Sequence, residues 1–175
     1  MERTRSGSRF LSSLLLCAAF AASTATAFAG DRGGGAQKDG PFVTRIGSEL
    51  YLQGRPFRFA GSNNYYPIYK SPFMLTALLD KASASNFAVM RVWSTVIIGN
   101  QDGSNSVDGP KEGVYTHYWN GTAPAFNDGP NGLERLDFVV AEAGKRNLKL
   151  ILPLVNNWNE FGGMNQYVRW RGGQY

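Results

Sequence analysis

The chain has 175 residues, with 18 Lys and Arg against 13 Asp and Glu, 43% hydrophobic residues, 13% aromatics, one Cys and one His. This content excludes a disordered chain, an internal disulfide framework and a Cys/His-rich metal centre. The net charge is +5, and the only tight basic cluster, Lys145, Arg146 and Lys149, falls at a predicted helix end where cations complement the dipole, so nothing marks a nucleic-acid partner.

Residues 1–29 begin with Arg3, Arg5 and Arg9, continue through an apolar stretch from Phe10 to Ala22, and end in small residues at Ala25, Ala27 and Ala29. That order predicts a secretory signal peptide cleaved after Ala27 or Ala29, because the apolar stretch is too short for a stable anchor. Cys17, behind Leu16, lacks the small preceding residue that a lipid-attachment Cys requires. Cleavage would remove three Arg and one Glu, lowering the net charge from +5 to +3. Beyond the leader no apolar run approaches the ~20 residues that span a bilayer. The expectation is a secreted, extracellular protein with no stable membrane insertion. Residues 30–40, GDRGGGAQKDG, read as a flexible spacer, and 41–175 as the folded region.

In chain order, Phe42–Ile46 and Leu50–Leu52 flank Gly47-Ser48 as a β-hairpin, and a turn at Gln53–Pro56 leads into Phe57–Ala60, expected as a first buried strand. Ser71-Pro72 followed by Leu75, Leu78, Leu79 and Ala82 predicts a helix over 72–85 with a Ser cap and Pro in its first turn. Asn86 breaks it, and Phe87–Trp93 reads as an apolar strand carrying Arg91. After a long loop, Asn131 and Glu134 have capping-box spacing, and Leu133, Leu136, Val140 and Ala143 give a helical stripe running to about Arg146, with Asn147 as its cap. Leu148–Val155 is almost continuously apolar, the pattern of a parallel strand buried on both faces. A third helix is expected from Gly163 to Trp170.

Strand, helix, strand, helix, strand and helix in turn imply right-handed crossovers and a parallel sheet, an α/β fold. Ligands of such sheets lie beyond the carboxyl ends of the strands. Three segments follow the predicted strands: Gly61–Tyr66, Arg91–Ser94 and Asn156–Phe161. They are rich in amides and aromatic rings with one guanidinium, a set suited to sugars, whose hydroxyls need donors and acceptors and whose C–H faces stack on rings.

The runs FRFAGSNNYY, MRVW, GLERLDFVVAEAGKRNLKL and LPLVNNWNEFGGMNQYVRW resemble the N-terminal part of secreted endo-β-1,4-mannanases of glycoside hydrolase family 5 over about Phe42–Gly173. VNNW followed by FGG is the most specific element. The resemblance implies the first three βα units of a (β/α)8 barrel preceded by a β-hairpin, an incomplete barrel, since about 146 residues after the leader fall short of the ~250 of that fold. It also implies retaining hydrolysis of β-mannan, without a cofactor or metal, by a monomer when full length. The family's two catalytic Glu lie after its fourth and seventh strands, so no catalytic residue is expected before Tyr175. Retention needs two carboxylates ~5 Å apart. Glu160 imitates the Asn-Glu acid/base motif, but its surroundings match the loop after the third strand, which implies a structural or rim role. Asp102, Asp108, Glu112 and Asp128 read as solvated turn residues.

Arg91 is the leading functional residue: a charge in an apolar strand is costly unless paired, and the resemblance implies an Arg that orients the nucleophilic Glu. Asn63, Tyr65, Trp93, Asn157 and Trp158 are candidates to line a sugar cleft, with a lid over the core as the alternative for the rings. The loop from Ser94 to Pro130 carries Tyr115, His117, Tyr118 and Trp119 and reads either as a substrate-binding loop or as a cap packing its own aromatics. His117 reads as a hydrogen-bonded loop residue, and Asn120-Gly121-Thr122 is a glycosylation sequon, usable only in a eukaryotic source. A competing reading is a secreted non-catalytic carbohydrate-binding or degenerate barrel module; a relative acting on cellulose or xyloglucan is a third. The ending Arg169–Tyr175 reads as a helix without a cap, cut mid-barrel, and the chain alone is expected to be inactive and to aggregate.

Overall fold

The computed structural model describes residues 42–174; the predicted leader and spacer lie outside them. In chain order the elements are β1 (Thr44–Ile46), β2 (Glu49–Leu52), β3 (Arg55–Pro56), β4 (Gly61–Asn64), α1 (Pro72–Ala84), β5 (Val89–Val92) and β6 (Ile97–Asn100). There follow β7 (His117–Trp119), β8 (Pro124–Phe126), α2 (Leu133–Lys145), β9 (Lys149–Ile151), a 3-10 turn (Asn159–Phe161) and α3 (Gly163–Trp170).

The predicted hairpin forms as β1 and β2, paired antiparallel with Arg45 opposite Leu50, and β3 adds Pro56 at an edge, where a missing N–H costs nothing. The predicted parallel sheet is present in the order β4-β5-β9. Its first strand is not Phe57–Ala60 but the polar Gly61–Asn64, and most of its residues are exposed. Pairing with β5 decides the position, overriding the weak β-propensity of Gly, Ser and Asn.

Both crossover helices pack on one face of this sheet. Leu75 and Leu79 of α1, Val139 and Ala143 of α2, and Met90 and Val92 of β5 form the main core. Residues alternate faces along a strand, so Arg91 belongs to the opposite face, where Val89 at the strand start is buried but Arg91, Asn63 and Ile151 lie exposed. The apolar run expected to be buried on both sides is therefore buried on one: Ile151 is 47% exposed and Leu154 83%. The α2 stripe is turned from the predicted one, with Val139 buried and Val140 exposed. Arg146 fastens the two helices, its Nε donating to Asp80 Oδ1 at 2.7 Å and its Nη1 to Glu142 Oε2 at 2.7 Å.

Ser71 caps α1 as predicted, its Oγ accepting from the Met74 N–H at 3.3 Å, with Pro72 in the first turn. The capping box at α2 does not form. Gly132 is the N-cap, and Asn131 instead spends its side chain on the Gly113 carbonyl and the Asn127 amide. All three helices end alike, with a left-handed residue followed by an N–H that bonds back to the carbonyl five residues earlier. Asn86, Asn147 and Gly172 hold φ of 58°, 56° and 76°. The returning bonds are Phe87 N–H to Ala82, Leu148 N–H to Ala143 and Gly173 N–H to Val168, at 3.0, 3.0 and 3.1 Å. The reading of Arg169–Tyr175 as an uncapped helix is thus corrected.

The long loop is a small sheet of its own, order β6-β7-β8. α3 fixes it from outside. Gln166, fully buried, accepts from the Val107 N–H at 2.6 Å and donates to the Asn105 carbonyl at 3.2 Å, while Arg169 donates to the Ser106 carbonyl at 2.7 Å.

Candidate functional site at the strand ends

Parallel register sets Asn63, Arg91 and Ile151 side by side on β4, β5 and β9. On this uncovered face Arg91 Nη1 donates to Asn63 Oδ1 at 2.8 Å. Both residues are exposed. Among the described residues that neutral amide is the only hydrogen-bond partner of the guanidinium, which leaves most of its donor fork free for a planar anion such as a carboxylate.

Just past the strand ends the aromatic residues gather around Phe161. Its ring meets Trp93 edge-on at 4.2 Å between centroids, with Tyr69 at 6.1 Å and Tyr65 at 6.5 Å. Tyr65 also meets Trp93 at 6.2 Å. Trp93 is half-buried and Tyr65 exposed, so of the predicted cleft rings one is partly lid and the other faces solvent. Phe161, with Ile68 and Val96, forms a second small core beneath them.

The loop after β9 is shaped by its own amides. Asn156 Oδ1 accepts from the Trp158 N–H at 2.9 Å, its carbonyl accepts from Met164 at 3.0 Å, and Asn165 donates to Asn159 Oδ1 at 2.7 Å. These bonds leave Asn157 exposed and Trp158 62% exposed. Gly162 makes the fold-back into α3 possible: its φ is +79°, and a Cβ there would lie 2.1 Å from the Ile97 carbonyl oxygen. Ser94 Oγ donates to the Pro153 carbonyl, tying the ends of β5 and β9 together. Trp93 Nε1 and Asn156 Nδ2 are buried without an acceptor among the described residues, so unmet hydrogen-bond demand also collects at these strand ends.

Charges ring the cluster in opposite-sign pairs. Lys70 pairs with Glu112 and lies over the Tyr69 ring, and Lys111 pairs with Asp108 and lies over Phe161. Burial, then Tyr65 and Glu112, push the Tyr69 phenol upward. Glu160 is exposed in the 3-10 turn. Among the described residues no three His, Cys, Asp or Glu side chains are grouped to hold a metal.

The structure thus brings Asn63, Tyr65, Arg91 and Trp93 together and sets Asn157 and Trp158 on the adjoining loop. Sequence reasoning passed over Phe161 and Gln166. An aromatic residue immediately before Gly-Gly in a ligand-facing loop was the available signal for Phe161; a lone Gln in a helix gave none. Of the long-loop residues, His117 lies in β7, where its Nδ1 is 2.9 Å from Thr116 Oγ1 and burial lowers its pKa. Tyr115 and Tyr118 meet edge-on at 5.8 Å, as a cap packing its own aromatics would.

Residues 40–175 match the family model described as GH family 5 beta-mannosidase-like. Mannan endo-1,4-beta-mannosidase F of Aspergillus fumigatus is 34% identical over 137 residues, an alignment covering 75% of this chain and 29% of that protein. Among solved structures, an endo-1,4-beta-mannanase from Rhizomucor miehei superposes with a TM-score of 0.65 at 30% identity, covering 77% of this chain and 35% of that one. The endo-beta-1,4-mannanase from Thermotoga petrophila gives a TM-score of 0.56 at 39% identity, covering 70% and 25%. The chain therefore spans about a third or less of each of these proteins.

Proposed function

The chain belongs to the β-mannosidase-like group of glycoside hydrolase family 5, and from that premise we propose that it forms part of a secreted endo-β-1,4-mannanase. The whole protein would hydrolyse internal β-1,4-mannosidic bonds by double displacement with retention, using two glutamates contributed by chain beyond Tyr175 and no cofactor. β4, β5 and β9 with their helices would be the first three βα units of its barrel, and their uncovered face would line the barrel interior.

The observation that carries this reading is the Arg91–Asn63 pair on the uncovered face, with Tyr65 and Trp93, in contact with each other, two residues further along the same two chain segments. A guanidinium pinned on one side by a neutral amide keeps free donors for a carboxylate nucleophile, so Arg91 would orient that glutamate and Asn63 would fix the plane of Arg91. Tyr65 and Trp158 present exposed ring faces on which pyranose C–H groups can stack, Trp93 supports them, and Asn157 offers an amide to sugar hydroxyls. Monosaccharide units carry no net charge, which fits a cleft whose nearby Lys residues are already paired with acids.

The test is to express the reading frame together with whatever follows the Tyr175 codon and incubate the product with linear β-mannan, following the anomer released by NMR. Release of β-configured oligosaccharides, lost in Arg91→Lys without loss of folding, supports the proposal. Inversion, or no cleavage, refutes it; binding without cleavage would favour the non-catalytic carbohydrate-binding module.

A further inference from the structure

A second set of sugar-compatible groups lies away from the strand ends, around the turn that joins β7 to β8. We propose that Asn120 is an N-glycosylation site and that its first sugar, an N-acetylhexosamine, packs on Trp119 in the open pocket beside it.

Three observations carry this. Asn120-Gly121-Thr122 has the acceptor pattern, and all three residues are exposed in a hairpin turn. The turn also selects which amide atom is free. Asn120 Oδ1 accepts from the Thr122 and Ala123 N–H groups at 3.0 and 2.9 Å, and the Asn120 N–H bonds to the Ala123 carbonyl at 3.1 Å. Nδ2, the atom to be glycosylated, is left pointing away from these bonds, and Thr122 is held at its required offset. Finally, Asn120 borders an open polar pocket of about 700 Å³ lined by Asn100, Gln101, Asp102, Trp119 and Gly121. Trp119 is braced against Trp170 at 6.2 Å between ring centroids, giving a fixed platform for a sugar C–H face. Asn100 Nδ2 and Asp102 Oδ1 are both engaged by Ser104, which leaves Asn100 Oδ1 and Asp102 Oδ2 to accept from an acetamido N–H and hydroxyls.

The reaction needs a lipid-pyrophosphate-linked oligosaccharide and entry into a secretory lumen, as the leader predicts. Nδ2 bonds to the sugar C1, the C1–O bond to pyrophosphate breaks, the amide loses one proton, and the lipid pyrophosphate departs with the electron pair.

The experiment uses the full chain secreted from a eukaryotic host. Peptide mass spectrometry across Asn120, before and after N-glycosidase treatment, should show an occupied site, and the mobility shift should vanish in both Asn120→Gln and Thr122→Ala. An unmodified Asn120 peptide from the secreted wild type overturns the proposal, and that readout needs no variant to fold. For the pocket, the Tm of glycosylated and deglycosylated protein is compared within each variant, which cancels any direct cost of losing the Trp119–Trp170 contact. A glycan-dependent Tm increment in the wild type that disappears in Trp119→Ala supports the packing; equal increments in both overturn it. Because the readouts are mass and Tm, failure here is distinct from failure of the mannanase reading.

Discussion

Gly162→Ala perturbs the hinge on which the aromatic cluster depends. Two costs add at this position. A side chain at φ +79° and ψ −45°, outside even the left-handed helical well, costs at least the left-handed penalty of about 1–2 kcal/mol. A Cβ 2.1 Å from the Ile97 carbonyl oxygen meets backbone, which has no rotamer to yield, so β6 and the hinge must separate at a further cost of about 1–3 kcal/mol. The sum, about 2–5 kcal/mol, is a large part of the roughly 5–15 kcal/mol that holds a domain together. Gly172→Ala is the control: its φ is +76° but nothing lies within 4 Å of the added Cβ, so it should cost only about 1–2 kcal/mol. In the product of the reading frame with whatever follows the Tyr175 codon, urea unfolding followed by tryptophan fluorescence separates the two, since with a slope of about 1–3 kcal/mol per molar a further 2 kcal/mol moves the midpoint by roughly 1 M. Gly162→Ala should also change the native emission, because Phe161 immediately precedes it and packs edge-on against Trp93. Equal midpoints for the two variants would refute the close approach of Gly162 to β6.

Trp158→Ala should leave the unfolding midpoint within ~0.5 kcal/mol of wild type, because the side chain is mostly exposed, yet weaken retardation in a mannan-containing gel by about 2- to 10-fold; unchanged retardation removes Trp158 from the cleft. His117 has its pKa lowered by burial, so protonation favours the unfolded chain. Its contribution is full above the unfolded value near pH 6.5 and declines as pH falls from there toward the lower folded value. His117→Gln should flatten that part of the midpoint-versus-pH curve, and an unchanged slope would exclude the assignment. Glu142 acts in the same direction at lower pH: Lys145 and then Arg146 hold its carboxyl below the usual range, so its stabilisation is complete above about pH 4.5 and fades on further acidification. Glu142→Gln should lessen the acid-side loss of stability. Ser71→Ala removes the acceptor for the Met74 N–H and should cost about 1 kcal/mol by the same unfolding assay.

Legibility in the sequence followed the range of the interaction that decides each element. The Ser71-Pro72 start of α1, the Asn147 end of α2 and the span of α3 are set within one helical turn, and all were readable. β6, β7 and β8 were not, because His117-Tyr118-Trp119 is a strand only by virtue of pairing with Ile97 and with Phe126. The same holds for β4, whose Gly-Ser-Asn-Asn is recruited by β5 while the better β-formers before it stay outside the sheet. Within the candidate site, the strand-end positions of Arg91, Asn63 and Trp93 were legible because strand ends of a parallel sheet are where ligands of such folds lie. Phe161 was not, because its partners Trp93, Tyr65 and Tyr69 come from distant segments. Asn131 failed as a capping residue for a related reason: a tertiary bond to Gly113 outcompeted the local one.

The two faces of the parallel sheet make different demands, and this difference explains why the site is polar where it is. The helix-bearing face holds Met90 and Val92 and is packed by α1 and α2. The other face places a cation and an amide in the middle of the sheet, at Arg91 and Asn63, beside the half-exposed Ile151. An apolar partner laid over that face would strip water from the guanidinium without replacing its bonds, at a cost of several kcal/mol. A partner carrying a carboxylate would satisfy the free donors and cover Ile151 at once. The chemistry of the uncovered face therefore selects an acidic, partly apolar neighbour, which is what the role proposed for Arg91 would need.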